Sequence, residues 1–421
     1  MAFFKDTFRS LHVRNAKNIE VLDGLRAISM LLVLFYHAML AVSASYENPQ
    51  QVLETVGLGW LWIFNGDLGV DLFFVISGFL IAGILLKEGE RSGSLDLKRF
   101  YSHRVLRILP AYYFVLLLYF MAGLPNKENM LSNVLFFNNF LPGDAQAMNW
   151  SWSIAVEEQF YFVFPIMLFM LTKLNRINVG FFWGLLVVSF LIRGGIIASD
   201  PMLATRPVSD IVTDQAFYYH RFDVLYDNLY SRFGCFVAGI IAAFYHVKYP
   251  QRCQEFLQSI DGKIAFVLAV VVMFAILFTP LYDARWAPNE SFYIGFVVSY
   301  RTIFAMAAIY IMMSCIYGVS WAAVFNVILK SKLWIPFAQL SYSLYLVHPI
   351  LMFIAGQAVT QLMAKSGAGP ISLVMMTFTL GFVVSLILSL LIYVFVERPF
   401  MALRNRKRDQ AATGEVLVSA S

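Results

Sequence analysis

The chain has 421 residues, of which 60% are hydrophobic and 14% charged, with a formal net charge of +5 and a mean hydropathy of +0.69. Soluble domains carry roughly 25% charged residues, so this composition excludes an ordinary soluble protein and implies an all-α integral membrane protein. The positive balance is modest and its basic residues alternate with apolar spans, which argues for membrane orientation and against nucleic-acid binding.

In chain order, residues 1–20 read as a cytoplasmic or interfacial segment. Phe4, Phe8 and Leu11 recur at helical spacing beside Lys5, Arg9 and His12, a pattern that suits a short helix on the membrane surface. The first span follows, VLDGLRAISMLLVLFYHAMLAV from Val21 to Val42. Its length and its internal Arg26 and His37 predict an uncleaved helix, not a signal peptide. Arg26 and His37 are eleven residues apart, about three turns, which puts them on one face and roughly 16 Å apart along the axis. Ionisable groups inside a bilayer are expensive, so each needs a partner or a task.

Further stretches long enough to cross lipid are expected near 67–87, 104–122, 153–173, 177–199, 230–247, 264–282, 293–317, 335–357 and 372–396, giving a bundle of about ten transmembrane helices over a domain 21–400. The piece LSNVLFFNNFL at 131–141 is too short to span and reads as re-entrant or interfacial. One set of loops carries Arg91, Lys98, Arg99, Arg104 and Arg107, then Lys173 and Arg176, then Lys248, Arg252 and Lys263, then Lys330 and Lys332. The tail 401–421 adds Arg404, Arg406, Lys407 and Arg408 and then loses all periodicity. The other loops carry Glu47, Glu54, Asp67, Glu128, Asp144, Asp200, Asp210, Asp283 and Glu290. This alternation predicts cytoplasmic N and C termini. Cys235, Cys253 and Cys315 have no metal or redox spacing.

With that orientation, each polar residue acquires a depth. Arg26, Arg104 and Arg107 converge on the inner side, where three guanidinium groups suit an anionic phosphate ligand. His37, Asp71, Glu157 and His348 fall at similar depth in the outer half of four different helices, and Ser341, Tyr345 and His348 share a stripe. Asp67, Asp71 and Gly78 share a face of DLGVDLFFVISGFL, with Ser77 and Gly78 read first as close-packing residues. The outer run FYYHRFDVLYDN, which contains Arg221, mixes aromatic and charged groups that could hold a sugar-like acceptor. The competing reading of the buried charges is a small-solute transporter, although the sequence shows no inverted repeat and no pair of broken helices.

Taken together, LDGLRAISMLLVLFYH, GVDLFFVISGFLI, FYSHRVLRILPAYY, NWSWSIAVEEQFYFVFP, LSYSLYLVHP and VERPF resemble the successive signatures of the acyltransferase 3 family. These are bacterial inner-membrane proteins that transfer acyl groups, commonly acetyl, to hydroxyls of cell-envelope sugars. The resemblance implies that His37 is the catalytic histidine, acting as general base or as acyl carrier. It associates Arg26, Arg104 and Arg107 with the acyl-CoA donor and matches Glu157 to the acidic residue of the WSxxxE signature, expected to orient the imidazole. Asp71, His348 and Arg221 are expected as acceptor-binding residues. No tightly bound cofactor is implied, with acyl-CoA as donor substrate and an envelope glycan or glycolipid as acceptor. Ser102-His103-Arg104 departs from the consecutive arginines common in the family. Some relatives also carry a C-terminal SGNH-hydrolase-like domain that this chain is too short to hold, so such an activity would come from a separate periplasmic partner, or none is needed.

Overall fold

Ten apolar helices dominate the computed structural model, which describes residues 11–14, 19–46, 49–286 and 288–403. They are α1 (Glu20–Ser43), α2 (Leu68–Ser92), α3 (Leu97–Met121), α4 (Trp152–Lys173), α5 (Val179–Ser199), α6 (Leu229–Lys248), α7 (Ile260–Leu277), α8 (Glu290–Ile316), α9 (Trp334–Met363) and α10 (Pro370–Ile392). Each expected span falls on one of them, and the described residues contain no strand. Helices of 18 to 30 residues cover a bilayer core at 1.5 Å per residue, and this is a multi-pass membrane protein. Ten crossings bring Glu20 and Leu403 to the same end of the bundle, here the terminal face; the opposite end is the distal face. The leader residues 1–10, Glu47, Arg404, Arg406, Lys407 and Arg408 lie outside the described residues. Arg14 is within them and pairs with Glu20 at 2.9 Å and Asp23 at 2.6 Å.

Helix ends follow local chemistry. Asn178 and Asp96 cap α5 and α3 by accepting from the backbone N–H three residues on. Gly93 ends α2 in the left-handed conformation, at φ 66°. At the centre α2 crosses α6 closely enough that a Cβ on Gly78 would strike the Phe236 backbone and one on Gly239 that of Val75, as small residues allow in lipid.

The 131–141 piece is not a span. It forms a short helix, Met130–Val134, and a turn, Asn138–Phe140. Asn133, Asn138 and Asn139 point inward while Leu131 and Leu135 are exposed. Asn133 donates to the Ala147 carbonyl at 2.8 Å and to the Ser151 hydroxyl at 3.0 Å, tying this piece to the NWSW segment that starts α4.

Candidate active site

Val33, Tyr36, His37 and Leu40 form one stripe of α1, and that stripe forms a wall of a cavity of ≈ 770 Å³ in the distal half of the bundle. The other walls are Asp67 and Val70 at the start of α2, Tyr119 at the end of α3, Trp152 at the start of α4, Tyr345 and Pro349 of α9, and Trp150, Tyr218, Arg221 and Tyr226 of the segments that connect the spans.

The state of His37 follows from its neighbours. Its Nδ1 lies 2.9 Å from the Val33 carbonyl, and a carbonyl only accepts, so this nitrogen carries the proton. His348 is fully buried and is fixed in the same way, by a feature of the VHP sequence. Pro349 has no N–H to give to the carbonyl four residues back, which leaves the Tyr345 oxygen free, and His348 Nδ1 donates to it at 2.8 Å. The unprotonated Nε2 of His348 then points at His37 Nδ1, 3.4 Å away. His37 Nε2 is left with a free lone pair and, among the described residues, no hydrogen-bond partner, as a general base requires.

Sequence reasoning grouped His37 with His348, Glu157 and Asp71, and the fold divides these four. Only His348 meets His37. Glu157 accepts from Ser77 and Tyr161 and makes no hydrogen bond to the imidazole. It stands instead on the side of Arg104, whose guanidinium stacks on the Tyr161 ring at 4.7 Å. The expected orienting contact between Glu157 and His37 is therefore absent: the imidazole is held by the Val33 carbonyl and His348, because Glu157 leaves α4 toward α2 and α3.

Asp71 is likewise removed from the cavity surface. Its carboxylate is fully buried and accepts from Arg301 at 2.8 Å and from the Cys235 thiol at 3.3 Å, with Arg232 at 3.4 Å. Arg301 also pairs with Asp67. A carboxylate so satisfied is a structural ion pair between α2, α6 and α8, with nothing left to offer an acceptor. Arg193, Arg232 and Arg301, each inside an apolar span, were not singled out from the sequence; a guanidinium in a span was itself the available signal.

Arg26, Arg104 and Arg107 do come together toward the terminal face, each within the electrostatic reach of the others. Arg107 is exposed, and Arg26 and Arg104 half-buried. Glu397 of the VERPF segment lies near Arg107 and accepts from Ser343. The trio is not part of the distal cavity wall. The lowest α1 residue of that wall, Val33, stands seven positions from Arg26, about 10 Å along the helix. Arg221 is on the wall itself, and His348 lies immediately behind it.

The model of an acyltransferase domain, of the acyltransferase 3 type, matches residues 19–394, from the start of α1 to the end of α10. The chain belongs to the acyltransferase 3 family. Curated relatives include a provisionally named O-acetyltransferase of Staphylococcus aureus strain COL, 27% identical over 92% of this chain and 58% of that protein. O-acetyltransferase OatA of Staphylococcus aureus strain NCTC 8325 is 27% identical over 83% of this chain and 53% of its own length. This acyltransferase 3 chain thus spans little more than half the length of the curated relatives it matches. No solved structure matches it. The family match covers both the imidazole pair and the arginine trio.

Proposed function

We propose that this protein is an O-acyltransferase of the bacterial inner membrane that moves an acyl group, acetyl by preference, from cytoplasmic acyl-CoA to a hydroxyl of an envelope sugar. In this reading the terminal face is cytoplasmic, as the basic loops suggest. Arg26, Arg104 and Arg107 hold the phosphates of the donor, and Glu157, through Tyr161, positions Arg104. The thioester arm reaches up beside α1 toward His37, across a rise of roughly 16 Å. The acceptor enters the distal cavity, whose tyrosine and tryptophan walls suit the apolar faces of sugar rings.

His37 Nε2 takes the proton of the acceptor hydroxyl as its oxygen attacks the thioester carbonyl. The C–S bond breaks, the new ester forms, and the proton passes from the imidazolium to the departing CoA thiolate. His348 keeps the proton of His37 on Nδ1, so that Nε2 is the basic atom. The observation that carries this reading is the free Nε2 lone pair of His37 on a sugar-sized cavity, in a chain whose relatives are named O-acetyltransferases.

The test uses the full chain in lipid nanodiscs with labelled acetyl-CoA and envelope glycan extract. CoA release coupled to ester-linked label on the glycan, lost in His37→Ala, is the expected result. Label on glycan undiminished in His37→Ala would overturn the assignment of the base. Solute movement across sealed vesicles without any acyl transfer would overturn the enzyme and favour a transporter.

A further inference from the structure

The distal cavity carries more positive charge than its surroundings neutralise. Among the described residues buried around it are the guanidiniums of Arg193, Arg221, Arg232 and Arg301, against the carboxylates of Asp67 and Asp71. Both carboxylates are engaged by Arg301, and Asp71 also faces Arg232. Asp283, beside the lining residue Tyr282, is buried too but its carboxylate is neutralised by Arg285, and Asp227, between helices α5 and α6, has its carboxyl raised to about 8 by burial, so it is largely protonated at neutral pH and offsets little of the excess. Asp144 is on the rim and exposed to solvent.

The surplus is not spread evenly. Arg193 spends its donors on the carbonyls of Val297, Val298, Leu225 and Ser231 and is held as part of the wall. Arg232 makes no side-chain hydrogen bond among the described residues, but it faces Asp71 at 3.4 Å, is enclosed by the rings of Tyr226 at 4.7 Å and Trp152 at 5.1 Å, and does not line the cavity. Arg221 differs from both. It ends the short helix Gln215–Arg221, is only 9% exposed, lines the cavity, and makes no hydrogen bond or ion pair among the described residues. Its guanidinium therefore faces the cavity with no protein partner among those residues, and its fork matches an oxyanion bidentately.

We propose that Arg221 is the contact for an oxyanion on the acceptor, so that the distal cavity selects a sugar bearing a carboxylate or phosphate over its neutral counterpart. This rests on the acceptor entering that cavity, as argued above. The oxyanion would complete the guanidinium and balance the surplus charge of the wall, while a hydroxyl elsewhere on the same sugar faces His37.

Binding is measured on the full chain in nanodiscs with three disaccharides: a glucuronic-acid disaccharide, its phosphorylated glucose analogue and the uncharged glucose parent. An acidic ligand should bind at least about tenfold more tightly than the parent, and Arg221→Gln should bring the ratio close to one. Arg221→Lys, which keeps the charge without the fork, should fall between. Equal binding of charged and neutral ligands by the native chain overturns the proposal, as does full preference retained in Arg221→Gln. The two acidic arms identify which oxyanion is taken, and preference for either one supports the site. Because binding is read without turnover, acidic preference with no acetyl transfer would uphold this site while overturning the enzymatic reading.

Discussion

His348 Nε2 lies 3.4 Å from His37 Nδ1, with the two rings nearly perpendicular at 87°. Two histidines from helices that are far apart in the chain thus form one unit, in which the buried ring joins the Val33 carbonyl in holding the proton of the cavity ring on Nδ1. His37→Ala should lower acetyl transfer by roughly 10²–10⁴-fold. His348→Ala should lower kcat, by about tenfold, more than it changes KM for the acceptor, because His348 acts through His37. The measurement is steady-state transfer from labelled acetyl-CoA; a His348→Ala effect confined to KM would place His348 on the acceptor instead.

Arg104 rests on Tyr161, which in turn donates to Glu157. Arg104→Ala and Glu157→Gln should therefore act alike, raising KM for acyl-CoA several-fold while leaving the pH profile set by His37 in place. Donor titration at saturating acceptor checks this. A Glu157→Gln variant with normal donor KM and a shifted pH profile would return Glu157 to the imidazole.

Arg301 bridges Asp67 and Asp71 in the middle of the bundle. Arg301→Ala leaves two buried carboxylates short of their main partner and should destabilise the fold by about 3–5 kcal/mol. Asp71→Ala should also reduce the yield of monodisperse protein, with acceptor KM unchanged in what survives. Thermal unfolding followed by size-exclusion chromatography in detergent reads both.

Burial raises the Asp227 carboxyl from 3.8 to about 8. Between those values the folded chain holds a proton that the unfolded chain has released, so this group makes stability fall as pH rises through the window, by at most about 1.4 kcal/mol per unit. Above about pH 8 its contribution levels off. Asp227→Asn should flatten the decline in melting temperature between pH 5 and 8. Equal slopes in the native chain and the variant would show that Asp227 is ionised in the fold.

Gly78 and Gly239 face each other across α2 and α6, with no room for a Cβ on either. Gly78→Leu should force the pair apart and cost about 1–3 kcal/mol or more, seen as a lower melting temperature, whereas Gly83→Ala, where the space is open, should change little.

The ten spans were legible in the sequence because crossing lipid demands about twenty apolar residues in a row, a local property of each segment. The stripe joining Arg26 to His37 was legible for a similar reason, since helical periodicity fixes which residues of one helix share a face. Lateral position was not. Glu157 and Asp71, expected at the depth of His37, turn instead toward Arg104 and Arg301, because which helices become neighbours depends on close-packing residues such as Gly78 and Gly239 acting between segments. The partner of His37, the withdrawal of Asp71 into an ion pair and the unpaired state of Arg221 are all relations between helices or loops distant in the chain. The sequence by itself determined the membrane class, the spans and the residues fit for chemistry; tertiary structure alone decided which of them meet, since pairing of buried charges is settled by packing.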